Sequence, residues 1–260
     1  MPTPIHQVDA FADAPFEGNP AAVCFPPAGA SDAWLARVAR EMNLSETAFL
    51  WPERDAWRLR WLTPEVEVDL CGHATLAAAH VLFERGEAGV LAFETRSGRL
   101  LARRAGDAIA LDFPARPLAP AAAPAGLFAA LGAEGECLQS RDDFVVVLDA
   151  EEAVRGLAPD FRALRATPAR GVAVTARAST PGFDFVSRFF APGAGIDEDP
   201  VTGSAHCALG PYWAGVLGRT ALRARQLSRR GGTVELDVRG PRVELRGRAF
   251  TVLRGELLGD

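Results

Sequence analysis

The chain contains no lysine, so all 28 of its basic residues are arginines. This absence excludes a pyridoxal phosphate Schiff base, a lysine nucleophile and the lysine of a nucleotide-binding P-loop. Close cysteine pairs are also lacking, since Cys24, Cys71, Cys137 and Cys207 are widely spaced. That spacing excludes a zinc ribbon and a C-x-x-C redox site, and it favours reduced thiols over a secreted disulfide framework.

Long hydrophobic runs are missing as well. No stretch approaches the length of a bilayer-spanning helix without proline, glycine or charge, and no N-terminal segment has the pattern of a signal peptide. We therefore expect a soluble, cytoplasmic protein with no membrane partner. Acidic residues outnumber basic ones by 33 to 28, which disfavours nucleic acid as a partner. Five arginines between Arg219 and Arg230 have no interleaved aromatic residues, so we expect a solvated loop there.

Two stretches share an opening of glycine, a polar residue and alanine that leads into a helix of small residues. They are Cys71-Gly72-His73-Ala74 and Thr202-Gly203-Ser204-Ala205. A strand that feeds directly into a helix presents the unpaired N–H groups and the positive dipole end of that helix to whatever lies above it. We hypothesise that the two helix starts face one small anionic ligand across a cleft.

Local patterns predict two similar halves. In the first half, Ser31 or Asp32 can cap a helix that continues to about Met42, with a stop at Asn43, and residues 44–50 resume a strand that contains Glu46. We predict an α+β fold with two pseudo-symmetric domains, each a curved, mostly antiparallel sheet or barrel around a central helix. The predicted limits are 1–114 and 125–260, joined by a Pro/Ala-rich linker at 115–124, and the last strand can return to the first half.

Several motifs spread over most of the chain resemble those of the PhzF-like family of phenazine biosynthesis, which has the diaminopimelate-epimerase-like fold. They are Val8-Asp-Ala-Phe, Gly18-Asn-Pro20, Met42-Asn-Leu-Ser-Glu-Thr-Ala-Phe49, Arg60-Trp-Leu-Thr-Pro64, Asp69-Leu-Cys-Gly-His-Ala-Thr75, Phe189-Phe-Ala-Pro192 and Asp199-Pro-Val-Thr-Gly-Ser204. The segment from Gln226 to Gly231 follows the family pattern only loosely.

This resemblance implies an isomerase that uses neither a cofactor nor a metal ion and moves a proton between carbons of a small carboxylic acid. It implies a homodimer and an active site between the two halves. The family's catalytic glutamate and histidine correspond to Glu46 and His73. The family's aspartate corresponds to Asp199, which we expect to hydrogen-bond the substrate or to orient His73. At the start of a helix, we expect His73 to be neutral.

The implied substrate-binding residues lie at the two helix starts. They are Gly72, His73, Ala74, Thr202, Gly203 and Ser204. Gly72 and Gly203 fall where backbone amides would hold a substrate carboxylate.

Two alternatives remain open. A two-base racemase or epimerase of the same fold would use Cys71 as one base, although the matching position in the second half is Thr202, whose hydroxyl cannot act as a thiol base. A non-catalytic protein that binds a small anion would need the two glycine junctions but not Glu46.

Overall fold

The computed structural model describes residues 2–258, which form two compact units. Unit 1 comprises Met1–Asp112 and Arg246–Asp260, and unit 2 comprises Phe113–Leu245. None of the helices described between residues 2 and 258 combines the length and the apolar character needed to cross a lipid bilayer.

Ten elements span the first part of the chain. They are β1 (Thr3–Ala10), β2 (Asn19–Cys24), α1 (Asp32–Met42), β3 (Glu46–Glu53), β4 (Ala56–Leu62), β5 (Glu67–Val68), α2 (Gly72–Glu84), β6 (Val90–Thr95), β7 (Gly98–Ala105) and β8 (Ala108–Pro114). Helix α1 has the predicted limits, because the Ser31 side chain accepts from the Trp34 N–H and Asn43 ends the helix in the left-handed conformation.

The remaining elements follow Pro114. They are β9 (Ala119–Pro120), α3 (Leu127–Leu131), β10 (Glu136–Gln139), β11 (Asp143–Val147), α4 (Glu151–Arg155), α5 (Phe161–Leu164), β12 (Gly171–Arg177), β13 (Phe185–Phe190), a 3-10 turn (Pro192–Ala194), α6 (Gly203–Leu217), β14 (Ala221–Gln226), β15 (Gly232–Arg239), β16 (Arg242–Gly247) and β17 (Ala249–Leu257).

Unit 1 is a sheet that curves around α2. Its strands pair in the order β17, β1, β2, β3, β4, β6, β7 and β8, with β5 also paired to β4. Helix α2 packs against β1, β2 and β3 and also against β7 and β17, which lie near opposite ends of this order. Ten residues of α2 are buried, so the helix is covered on nearly all sides. Its four alanines permit this close approach.

Unit 2 repeats the strand pattern of unit 1. In unit 1, β1 and β2 are antiparallel, β2 and β3 parallel, β3 and β4 antiparallel, and β4 and β6 parallel. The strands β10, β11, β12, β13 and β14 pair in the same alternation. In each unit the second parallel crossover contains the helix that begins at one of the two glycine junctions, α2 or α6.

Two segments differ from their predicted structure. Residues 115–124 belong to unit 2 rather than forming a separate linker, because β9 pairs with β10 and the Ala115 N–H donates to the Pro241 carbonyl. The arginine-rich segment contains strand β14 instead of being a loop throughout. Leu222, Ala224 and Gln226 are buried and alternate with residues that are exposed or half-buried, which is the two-residue period of a strand covered on one face.

Candidate active site

In unit 1, the structure brings Glu46 and His73 together. Glu46 is the first residue of β3, and His73 is the second residue of α2. His73 Nε2 lies 3.2 Å from Glu46 Oε2, and the two side chains are 6% and 15% exposed. The buried Oε2 atom makes no hydrogen bond within residues 2–258, so its contact with the ring is that of an ion pair. A carboxylate and an imidazole are therefore held side by side at the start of α2.

The other nitrogen of the His73 ring faces two buried groups. The Asn19 amide nitrogen lies 3.1 Å from His73 Nδ1, and Cys71 Sγ lies 3.5 Å from the same atom. Asn19, at the start of β2, is fully buried. An amide can present either its N–H₂ group or its oxygen to the ring. Asn19 can therefore support His73 whether Nδ1 lacks a proton or carries one.

The surroundings of His73 favour the charged ring, in contrast to the neutral ring predicted from its place at a helix start. Burial lowers the pKa of His73, but negative charge at Cys71 and Glu46 raises it, and the net pKa lies well above its usual value. Burial and the Glu46 charge raise the pKa of the Cys71 thiol.

The first turn of α2 offers backbone donors beside this pair. The first intrahelical bond of this turn runs from the Thr75 N–H to the Cys71 carbonyl, at 3.1 Å. The N–H groups of Gly72, His73 and Ala74 therefore precede the regular pattern of the helix. The turn contains no acidic residue, and Cys71 makes no side-chain capping bond. These features suit the binding of an anion.

In unit 2, a buried glutamine organises the second junction. Gln226 Oε1 accepts from the Thr202 N–H at 2.9 Å, and Gln226 Nε2 donates to the Asp199 carbonyl at 2.7 Å. The Thr202 hydroxyl donates to Asp199 Oδ2 at 2.6 Å. Asp199 and Thr202 are thereby held immediately before Gly203, where α6 begins.

An arginine lies beside the start of α6. Arg170 Nη2 donates to Ser204 Oγ at 2.9 Å, and Arg170 Nε donates to Asp143 Oδ1 at 2.9 Å. Asp143 is nearly buried, with 4% of its side chain exposed, whereas 39% of the Arg170 side chain is exposed. The ion pair therefore anchors the guanidinium next to the Ser204 hydroxyl while leaving part of it accessible.

A buried histidine in α6 has a different setting from His73. His206 Nδ1 lies 2.8 Å from the Thr202 carbonyl oxygen, and burial lowers its pKa to about 4. The neutral ring donates to that carbonyl, which makes His206 part of the support of the helix start.

The predicted site residues fall into two groups. Glu46, Gly72, His73 and Ala74 cluster in unit 1, whereas Asp199, Thr202, Gly203 and Ser204 cluster in unit 2.

Sequence reasoning missed four neighbours of these groups. Asn19 lies in the motif Gly18-Asn-Pro20, but the sequence alone assigned it no contact with His73. The alternation of residues in β14 could have identified Gln226 as buried. Arg170 and Asp143 gave no local signal, because their pairing joins residues 27 positions apart.

Comparisons with known proteins agree with this architecture. The chain matches the family model described as phenazine biosynthesis-like protein over residues 8–255. It is 55% identical to an uncharacterized isomerase of Pseudomonas aeruginosa and 47% identical to one of Halalkalibacterium halodurans, with 99% of each chain covered.

Solved structures give the same assignment. A PhzF-family phenazine biosynthesis protein of Enterococcus faecalis matches with a TM-score of 0.94 at 43% identity, covering 99% of both chains. A hydroxyproline epimerase of Agrobacterium vitis, 16% identical, has a TM-score of 0.63 and covers 100% of this chain and 93% of its own, which shows a shared fold. The predicted α+β, diaminopimelate-epimerase-like fold is thus confirmed. The chain is an isomerase and belongs to the phenazine-biosynthesis-like PhzF family.

Proposed function

We propose that this protein moves a proton from one carbon of a small carboxylic acid to another, without a cofactor, and that Glu46 is the general acid and base. The observation that carries the proposal is the buried Glu46 Oε2 atom, which lies 3.2 Å from His73 Nε2 and makes no hydrogen bond within the described residues. A carboxylate so placed can receive a substrate proton and return it.

The start of α2 supports this chemistry electrostatically. When a proton leaves a carbon next to a carboxylate, negative charge develops on the carboxylate oxygens. The N–H groups of Gly72, His73 and Ala74 and the positive helix end favour that charge. A charged His73 ring stabilises the Glu46 carboxylate before it accepts the substrate proton. Binding and proton transfer would thus take place at one helix start.

Unit 2 supplies further substrate-binding groups in this proposal. Thr202, Gly203 and Ser204 stand at the start of α6, and Asp199 accepts from the Thr202 hydroxyl at 2.6 Å. We assign Asp199 to the catalytic set as a hydrogen-bonding partner of the substrate. That one ligand contacts both helix starts stays a prediction, as do the homodimer and the cytoplasmic location.

The second candidate is a two-base racemase that uses Cys71, because this thiol lies 3.5 Å from His73 Nδ1. This candidate lacks a suitable second base. Thr202 occupies the matching position and donates its hydroxyl to Asp199, and burial keeps the Cys71 pKa above its usual value. The proton-transfer isomerase is therefore the better supported reaction.

Solvent deuterium exchange tests the proposal. A panel of cyclic and linear carboxylic acids is incubated with the protein in deuterium oxide and followed by NMR. Glu46→Gln should lower the exchange rate by about 10²–10⁴-fold while the protein remains folded at the assay temperature. Glu53→Gln, at the exposed end of the same strand, is the matched control and should exchange normally.

Three results would contradict this assignment. Exchange that persists in Glu46→Gln removes the role of Glu46. Exchange of amino-acid α-hydrogens that is lost in Cys71→Ala favours the racemase. Thermal stabilisation by a carboxylic acid, with no exchange for any acid that binds, favours the anion-binding protein.

A further inference from the structure

Glu46, Cys71 and His73 form a cluster with the composition of a metal site. Each offers one ligand atom, and these atoms lie within 4.8 Å of one another. His73 Nε2 is 3.2 Å from Glu46 Oε2 and 4.0 Å from Cys71 Sγ. The cluster lies wholly within unit 1. The sequence predicted no metal ligand here, because the cysteines are widely spaced and the family resemblance implies an isomerase without a metal ion.

Two of the three distances are close to those between the ligands of one tetrahedral ion, and the third, between Glu46 and Cys71, lies within 4.8 Å. With bonds of the usual lengths to sulfur, nitrogen and oxygen, neighbouring ligand atoms of a tetrahedral zinc ion lie about 3.4–3.6 Å apart. The observed separations of 3.2 and 4.0 Å differ from this range by a few tenths of an ångström. Small side-chain rotations would therefore close the three atoms around an ion.

The chemistry of the three ligands selects the kind of ion. A thiolate and an imidazole favour zinc and its soft analogue cadmium over magnesium or calcium, which prefer oxygen ligands. A ring that binds an ion through Nε2 donates from Nδ1–H, so Asn19 completes the arrangement when its amide turns to present Oδ1 in place of the Nδ2 atom that lies 3.1 Å from His73 Nδ1. A group hydrogen-bonded to the second ring nitrogen is what orients histidine ligands in metal sites.

We propose that Glu46, Cys71 and His73 bind one thiophilic divalent cation, Zn²⁺ or Cd²⁺, with Asn19 orienting the histidine. The ion binds Glu46 Oε2, His73 Nε2 and Cys71 Sγ, displacing to solvent the proton of the thiol and the Nε2 proton of the charged imidazole, and a water molecule takes the fourth position. Because the ion occupies the same carboxylate oxygen that receives the substrate proton, binding blocks proton transfer. The inhibition rests on the proposed function, whereas the binding does not.

Titration of the whole protein with Cd²⁺ tests the binding without any enzyme assay. A cadmium–thiolate bond has an ultraviolet charge-transfer absorption, which should rise and saturate at one equivalent of Cd²⁺. Cys71→Ala should lose this absorption and bind Cd²⁺ at least about tenfold more weakly. Cys207→Ala, a buried cysteine in α6, and Cys137→Ala, a half-buried one in β10, are the matched controls and should keep it.

A second variant guards against a folding defect in Cys71→Ala. Glu46→Gln retains the thiol but offers a weaker oxygen ligand, so the absorption should remain at saturating Cd²⁺ while the affinity falls. The proposal is overturned if the absorption does not saturate, if it survives in Cys71→Ala, or if it disappears in Cys137→Ala or Cys207→Ala.

The inhibition is then measured separately with Zn²⁺ in the deuterium-exchange assay. Cys71→Ala lacks the thiolate ligand, so its exchange rate, measured relative to its own rate without metal, should resist Zn²⁺ concentrations that inhibit the wild-type protein. A saturable Cd²⁺ absorption in a protein that exchanges no carboxylic acid would refute the proposed function and leave the metal site intact. Exchange that is insensitive to Zn²⁺ in a protein that shows the absorption would refute the blocking role.

Discussion

Replacement of Gln226 by leucine should destabilise the start of α6 more than any change at its surface. Gln226 is fully buried, and its amide satisfies two backbone groups, the Thr202 N–H and the Asp199 carbonyl, at 2.9 and 2.7 Å. Leucine has a similar size but no polar atoms, so both groups would lose their partner.

The expected magnitude follows from these two bonds. Leaving one buried donor or acceptor unsatisfied costs about 1–3 kcal/mol, so Gln226→Leu should lower the free energy of unfolding by about 2–6 kcal/mol. The lost bonds lie before Gly203. Hydrogen exchange of the amides at residues 202–206 should therefore accelerate more than that of α2.

Urea denaturation measures the first effect, and amide hydrogen exchange followed by mass spectrometry locates the second. Gln139→Leu makes the same chemical change at an exposed position of β10 and should shift stability by no more than about 0.5 kcal/mol. The reasoning is refuted if Gln226→Leu costs less than about 1 kcal/mol, or if protection falls equally in α2.

Three further predictions concern other parts of the molecule. In Glu46→Gln, the pKa of His73 should fall, because burial still lowers it while the carboxylate charge is gone; NMR titration of the ring protons measures this. Since the folded pKa of His73 is raised, the wild-type pair should stabilise the fold fully below about pH 6.5 and lose that contribution as pH rises through the folded pKa. Urea curves of Glu46→Gln should show a weaker pH dependence, because only Cys71 then raises the pKa of His73. Arg170→Met leaves the buried Asp143 carboxylate without its ion-pair partner, so it should lower the free energy of unfolding by about 1–3 kcal/mol. This value is reduced because the arginine is 39% exposed. An unchanged midpoint in urea denaturation would contradict the prediction. Gly215→Ala, in open space on α6, should stabilise the fold by about 0.5–1 kcal/mol. Gly171→Ala would place a methyl group against the Phe189 ring and should destabilise the fold by about 1–3 kcal/mol; thermal melts measure both effects.

Elements with strong local signals could be predicted from the sequence. Helix α1 begins and ends as its capping residues, Ser31 and Asn43, indicate, because caps act within one turn. The junctions at Gly72 and Gly203 begin helices as predicted. Strands β9 and β10 were missed, since two and four residues carry too little pattern and depend on their partners for stability.

The site could be predicted only in part. Glu46 and His73 were named through the family resemblance, since neither residue stands out by spacing alone. The groups that raise the pKa of His73 could not be recognised from the sequence, because the helix dipole is a local feature, whereas the Glu46 carboxylate comes from β3, 27 residues earlier in the chain. The segment around Gln226 was predicted to be a loop because it is rich in arginine. Its two-residue period, which places Gln226 on the buried face of β14, was therefore not recognised.

The pairing of β17 with β1 has a consequence for the order of assembly during synthesis. Strand β1 leaves the ribosome before unit 2, but the strand that covers its edge is made after unit 2. All of Phe113–Leu245 emerges before β17, so unit 2 can complete its fold first. The half that carries Glu46 and His73 is finished only when the C-terminal strand arrives, and until then β1 presents an unpaired strand edge that other chains can bind.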